Sequence, residues 1–195
     1  PIYAKINYNL FKKMGREISE HEYQSFIGSN LTSMWTELKK KHDIRKEVSE
    51  LKKINNEALF KEISNLQNLE LMPGLDTFLE KAKHLPLAVA SSTNSKLVHL
   101  ILKKLSIISY FDSILCGDEI EKLKPHPEIF LKSSEKLNIS PADILVIEDS
   151  LNGIIASKAA GMFCAALQSD FTEKQDLKKS DIIIKNFKEL QDIIF

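Results

Sequence analysis

Four consecutive apolar residues, Ile144 to Ile147, run directly into two adjacent carboxylates, Glu148 and Asp149. An unbroken apolar run of this length is the pattern of a strand buried on both faces of a parallel sheet. Acids placed directly after it stand at the sheet's C-terminal edge, where open α/β sheets bind ligands. Upstream, Lys124-Pro125-His126-Pro127 sets a lysine between a polar run and two prolines. Proline disfavours helix at the residue before it, so the lysine is expected on a rigid turn. A fixed cation beside fixed anions suggests a site for phosphate and metal.

The rest of the chain supports a sheet. From Met72-Pro73-Gly74 onward, turns, strands and helices alternate. Apolar spacing predicts a helix through Leu75, Phe78, Leu79 and Ala82, a strand over Leu87 to Ala90, and a helix through Leu97, Leu100 and Ile101. Ser113 to Cys116 reads as a second strand. A helix beginning near Pro127 precedes Ser140-Pro141-Ala142-Asp143, which reads as a capped single turn leading into the Ile144 strand. A helix from Leu151 to Ala160 stops at Gly161, a natural C-cap. Phe163 to Leu167 and Ile182 to Ile184 are further strands, with a last helix from Phe187. This alternation implies right-handed βαβ units. The fold expected for residues 70–195 is α/β, a doubly wound (Rossmann-like) parallel sheet covered on both faces.

Up to about Asn68 every readable period is helical. Ser19-Glu20-His21-Glu22 has the spacing of a capping box. Leu31, Met34, Trp35 and Leu38, and then Val48, Leu51, Ile54, Ala58 and Leu59, follow the spacing of amphipathic helices. An all-helical cap domain over residues 1–69 is expected. Lys39-Lys40-Lys41 reads as a solvated helix end.

Composition narrows the partners. With 27 basic and 27 acidic residues the molecule exerts no strong pull on a polyanion, which argues against nucleic acid. No apolar run approaches the roughly 18 residues needed to span a bilayer, so no membrane is expected. Pro1-Ile2-Tyr3-Ala4-Lys5 lacks the basic segment and apolar core of a signal peptide, and the cytoplasm is the expected location. Cys116 and Cys164 both sit in apolar, strand-like contexts and are expected as reduced, packed thiols.

Ser91-Ser92-Thr93-Asn94 follows a strand and precedes a helix, where hydroxyls and free backbone N–H groups make an anion pocket. The same residues could simply cap the helix. Lys124 alone could be a solvated surface lysine, and Glu148-Asp149 alone a structural pair. The conjunction decides: a hydroxyl loop, a lysine turn and an acidic turn follow in order, each after its own strand.

Lys124-Pro-x-Pro-Glu-Ile-Phe130 and Glu148-Asp-Ser-x-x-Gly-x-x-Ala-x-x-Ala-Gly-Met162 together resemble the haloacid dehalogenase-like (HAD) hydrolase superfamily. Within it the chain is similar to the phosphatase and β-phosphoglucomutase-like group with a helical cap inserted near the N-terminus. The resemblance covers essentially the whole chain from Tyr3. It implies that the Ser91 hydroxyl and the Ser92 backbone N–H hold a transferring phosphoryl group. Lys124 would neutralise charge developing on it, Asp149 would bind Mg²⁺, and Glu148 would be a direct or water-mediated ligand. Ser150 and Asn152 would brace the loop. Members also carry Asp-x-Asp-Gly on an N-terminal strand, the first Asp being the nucleophile and the second a general acid/base. The chain contains no Asp-x-Asp, and its first aspartate is Asp43. The first core strand is therefore expected upstream of residue 1, starting roughly 15 to 20 residues earlier, enough for a strand of ~5 residues and its loop. Residues 1–195 alone are expected to lack turnover.

In this group the cap chooses the substrate. The candidate contact is the Phe26 to Leu31 turn, with Ser29 and Asn30 as substrate residues or, equally, as helix caps. Relatives acting on β-glucose phosphates carry an arginine about where Leu31 falls, and its absence disfavours a bisphosphate mutase cycle. Trp35 is expected in the core and His126 exposed without a catalytic role. The expected function is Mg²⁺-dependent hydrolysis of small phosphorylated metabolites, such as sugar phosphates, by a monomer. The alternatives are a hexose-phosphate mutase and a non-catalytic binding or scaffold relative lacking the nucleophile.

Overall fold

The computed structural model describes residues 2–24, 26, 31–168 and 176–195. The chain divides into two compact units, Pro1–Gln67 and Asn68–Phe195. Among the described residues no helix is long and apolar enough to cross a membrane.

The first unit is helical: α1 (Ile2–Lys13), α2 (Glu20–Gln24), α3 (Leu31–Lys41) and α4 (Val48–Asn65). α4 packs against α1 and α3. Their apolar stripes meet in a core where Phe11, Trp35, Leu38 and Leu59 are fully buried. The Phe11 and Trp35 rings stack with centroids 5.5 Å apart. A polar pair is buried with them: Asn55 donates to Asn7 at 2.8 Å, and Asn7 donates to the Tyr23 hydroxyl at 3.1 Å. The Glu22 N–H donates to the Ser19 hydroxyl at 3.1 Å, as the capping spacing requires. The Glu22 carboxylate pairs with Lys41 at 3.0 Å and His42 at 2.7 Å.

The second unit runs α5 (Leu75–Ala82), β1 (Ala88–Ser91), α6 (Ser95–Lys104), β2 (Ser113–Cys116), α7 (Glu128–Leu137), β3 (Leu145–Glu148), α8 (Leu151–Ala159), β4 (Phe163–Leu167), β5 (Ile182–Ile184) and α9 (Phe187–Ile194). All strand pairs are parallel. β4 shows how the layers form. Its side chains alternate, so Cys164 and Ala166 face Ile154 of α8, while Ala165 and Leu167 join Phe78, Phe187 and Leu190 from α5 and α9. Likewise Leu115 of β2 packs with Ile129 and Phe130 of α7, and Cys116 with Val98 and Leu102 of α6. Helices thus cover both faces, the doubly wound arrangement.

Among the described residues the strands form two parallel sheets, β1-β2 and β3-β4-β5. Two local expectations need correction. β1 and β3 each run one residue further toward their C-termini than the apolar runs suggest, so Ser91 and Glu148 are strand residues. Ser140 makes no side-chain cap, because Pro141 opens a short 3₁₀ turn that begins the approach to β3. Two further 3₁₀ turns, Ile108–Tyr110 and Leu177–Lys179, are too short for periodicity to reveal.

Truncating Trp35 tests the helical core. Trp35→Ala should cost about 3–5 kcal/mol in denaturant unfolding. Trp35→Phe should cost clearly less, because it keeps a ring against Phe11 and removes an indole N–H that has no partner among the described residues. Equal losses would show that the stack contributes nothing.

Candidate active site

Lys124 marks the point where two strand ends meet. Its ammonium group donates to the carbonyl of Ala90 at 3.1 Å and forms an ion pair with Glu148. Ala90 precedes Ser91, which ends β1, and Glu148 ends β3 and precedes Asp149. Ser91, Lys124, Glu148 and Asp149 therefore gather where the C-terminal ends of β1 and β3 meet. Both side chains of the pair are only 9% exposed, so the reading of Lys124 as a solvated surface lysine is excluded.

The turn that carries Lys124 is closed by Glu128, in the first turn of α7. Its carboxylate accepts from the N–H groups of Glu121 and Lys122 at 2.9 Å each and from Lys132 at 2.7 Å. These partners hold its pKa down at about 2, Lys132 contributing most. The Lys124–Pro125 peptide is cis. The ammonium also lies 4.6 Å from the centroid of the Phe130 ring, a cation–π contact from α7. His126 is exposed, as expected.

Glu148 is bound from the other side by the start of α8. Its second oxygen accepts from Asp149 N at 3.1 Å, Ser150 N at 3.2 Å and the Ser150 hydroxyl at 3.0 Å. Asp149 is exposed at the rim, while the protein around its carboxyl and the charge of Glu148 push its pKa up.

The hydroxyl loop divides its labour. Asn94 is the helix cap, accepting from Leu97 N at 3.1 Å. Ser91 accepts from Thr93 N at 3.2 Å, which folds the loop back on itself. Ser92 lies exposed between them. Gly117, just past β2, accepts this loop closely: its N–H donates to Thr93 O at 3.0 Å, and a Cβ there would collide with the Ser92 carbonyl.

Cys116, Asp118 and Glu119 bring three metal-capable atoms within 4.8 Å of one another. Each is committed elsewhere. Asp118 accepts from the Ser95 N–H and hydroxyl at 2.8 Å, Glu119 accepts from Cys116 N at 2.9 Å, and burial with neighbouring acids pushes the Cys116 thiol up to about 12. These groups lock the loop rather than await an ion.

Ser29 and Asn30 lie outside the described residues. Sequence reasoning missed Glu128, Phe130 and Gly117. Glu128 carried a usable signal, an acid in the first turn of a helix right after the lysine turn. Phe130 matters through its contact with Lys124 on the preceding turn, and Gly117 through contacts with Ser92 and Thr93 far away in sequence.

The depressed pKa of Glu128 fixes a pH dependence. Its native contribution is complete above its ordinary value of 4.5 and is lost as pH falls through about 2. Glu128→Gln should therefore be less stable than the parent near pH 7, the gap closing as pH drops toward 2. Urea unfolding across pH measures this, and a gap independent of pH would contradict it.

The family model for haloacid dehalogenase-like hydrolases matches residues 1–167. A phosphorylated carbohydrates phosphatase from Thermotoga maritima is 30% identical over 83% of this chain and 75% of its own length. The β-phosphoglucomutase of Bacillus subtilis is 33% identical over 66% of this chain, which spans only 55% of that enzyme. The fold matches CbbY from Rhodobacter sphaeroides, solved in complex with phosphate, with a TM-score of 0.86 at 22% identity, over 97% of this chain and 88% of that one. By its sequence match and its fold, the chain belongs to the haloacid dehalogenase-like hydrolases.

Proposed function

We propose that the protein is a Mg²⁺-dependent phosphatase of small phosphorylated metabolites, with sugar phosphates as the substrate class. The observation that carries this reading is the position of Lys124, bonded at once to the strand that ends in Ser91 and to the acid beside Asp149. A phosphoryl group at this edge would meet the Ser91 hydroxyl, the Ser92 N–H and a cation already fixed in place. Preorganised charge of this kind is worth several kcal/mol to phosphoryl transfer, because nothing reorganises as charge develops.

The donor set suits Mg²⁺, which takes hard oxygen ligands and accepts one or two carboxylates. Asp149 offers a carboxylate from a residue at the rim, with Glu148 beside it as a direct or water-mediated ligand. When bound, the ion would neutralise phosphate oxygens and align the group for in-line attack.

The nucleophile is placed on a further strand between β1 and β3, supplied from upstream of Pro1. Two features support this. Among the described residues β1 pairs only with β2 and β3 only with β4, although Lys124 ties their ends together. All four residues of β1 are only partly buried, whereas β4 is buried over four of its five.

In a protein extended to include that strand, Lys124→Ala and Asp149→Asn should each lower kcat for phosphate release by about 10²–10³-fold. Residues 1–195 alone should release none. Mg²⁺-dependent release from residues 1–195 that Asp149→Asn abolishes would put the nucleophile elsewhere. On a panel of sugar phosphates, isomer interconversion without phosphate release would establish a mutase. Failure of the extended protein to bind Mg²⁺ or inorganic phosphate would favour a non-catalytic role.

A further inference from the structure

Glu148 is held in one pose by two residues at the start of α8. Ser150 caps α8, its hydroxyl oxygen accepting from Gly153 N at 3.1 Å. An amide N–H can only donate, so the single hydroxyl proton of Ser150 is left for the Glu148 oxygen 3.0 Å away. Gly153 supplies the space. A Cβ at this position would overlap the carboxyl carbon and both oxygens of Glu148. The other carboxylate oxygen of Glu148 then meets Lys124.

We propose that Ser150 and Gly153 are positioning residues that fix Lys124 through Glu148, so that the acid serves chiefly as the anchor of the phosphate-binding cation. This rests on the phosphatase reading for its purpose, though not for its geometry. The overlap at position 153 involves the far end of a flexible side chain, not backbone, so an added methyl group swings the carboxylate away without breaking the fold. Alanine is also the better helix former, and position 153 lies in the first turn of α8. The helix gain offsets only part of the cost of parting a buried ion pair, so Gly153→Ala should fold with a lowered thermal stability while releasing Lys124.

The test uses Gly153→Ala, Glu148→Gln, their combination, Ser150→Ala and Ser150→Thr. The first readout is acetylation of Lys124 by acetic anhydride, followed by mass spectrometry and referenced to exposed Lys96. The second is calorimetric affinity for inorganic phosphate in Mg²⁺ buffer. Acetylation of Lys124 should rise several-fold in Gly153→Ala and in Glu148→Gln, and no further in the double variant, because both act on one contact. Phosphate affinity should fall about 10–100-fold, the usual effect of losing a residue that orients a ligand-binding group. Ser150→Ala should show the same direction and Ser150→Thr, which keeps the hydroxyl, should restore the parent values.

Unchanged Lys124 acetylation in folded Gly153→Ala, or effects that multiply in the double variant, would overturn the proposal. If the glycine variant does not fold, the serine pair decides it on the same readouts. Phosphate binding that Gly153→Ala leaves intact sinks the positioning role and spares the phosphatase reading. Raised Lys124 acetylation in the variants of a parent protein that itself binds no phosphate does the reverse.

Discussion

The ion pair between Lys124 and Glu148 organises the second unit. It joins the end of β1, the turn before α7 and the end of β3 at one point, and it does so with both side chains almost withdrawn from water. A charge held at such a depth needs its partner, since removing one member of a buried pair costs on the order of 3–5 kcal/mol. Here both are otherwise satisfied. Lys124 has a carbonyl and an aromatic face, and Glu148 has three donors from the start of α8. Full satisfaction is what turns a costly burial into a rigid cation.

Around that cation the elements meet as a doubly wound sheet brings them together. Strands deliver short polar turns to their C-terminal ends, and the helices that follow begin there with free N–H groups. α6 and α8 both start at this edge, each with its own side-chain cap, Asn94 and Ser150. Asn94 and Ser150 do the capping, so Ser91, Ser92 and Asp149 in the same turns are left for the proposed site. Stabilising the helices and equipping that proposed site therefore fall to different residues.

Much of this was legible in the chain. Ile144 to Ile147 followed by two acids announced a strand with a charged end, though not its burial, since only Val146 of β3 is buried and Leu145 is exposed; the alternation from Met72 onward announced parallel units, because periodicity is a local property. The Ser91 loop, Lys124 and Asp149 could be named as partners from their order, each after its own strand, and their individual roles from the resemblance of their motifs to a known family. Glu128 was visible but unread. The two-sheet arrangement was not legible, since strand pairing depends on what lies beside a strand in space. Nor were Gly117 and Gly153, whose missing side chains matter only because a distant carbonyl and a nearby carboxylate occupy the volume.

The sequence by itself determined the helical first unit, the doubly wound second unit and the identity of the charged residues, because hydrophobic period and turn chemistry act over a few residues. Only the tertiary structure decided that Lys124 is buried rather than solvated, that Glu148 faces it, and that Ser91 and Asp149 flank the pair. Burial and charge pairing are relations between segments tens of residues apart, and they acquire a sign and a direction only once the backbone has closed around them.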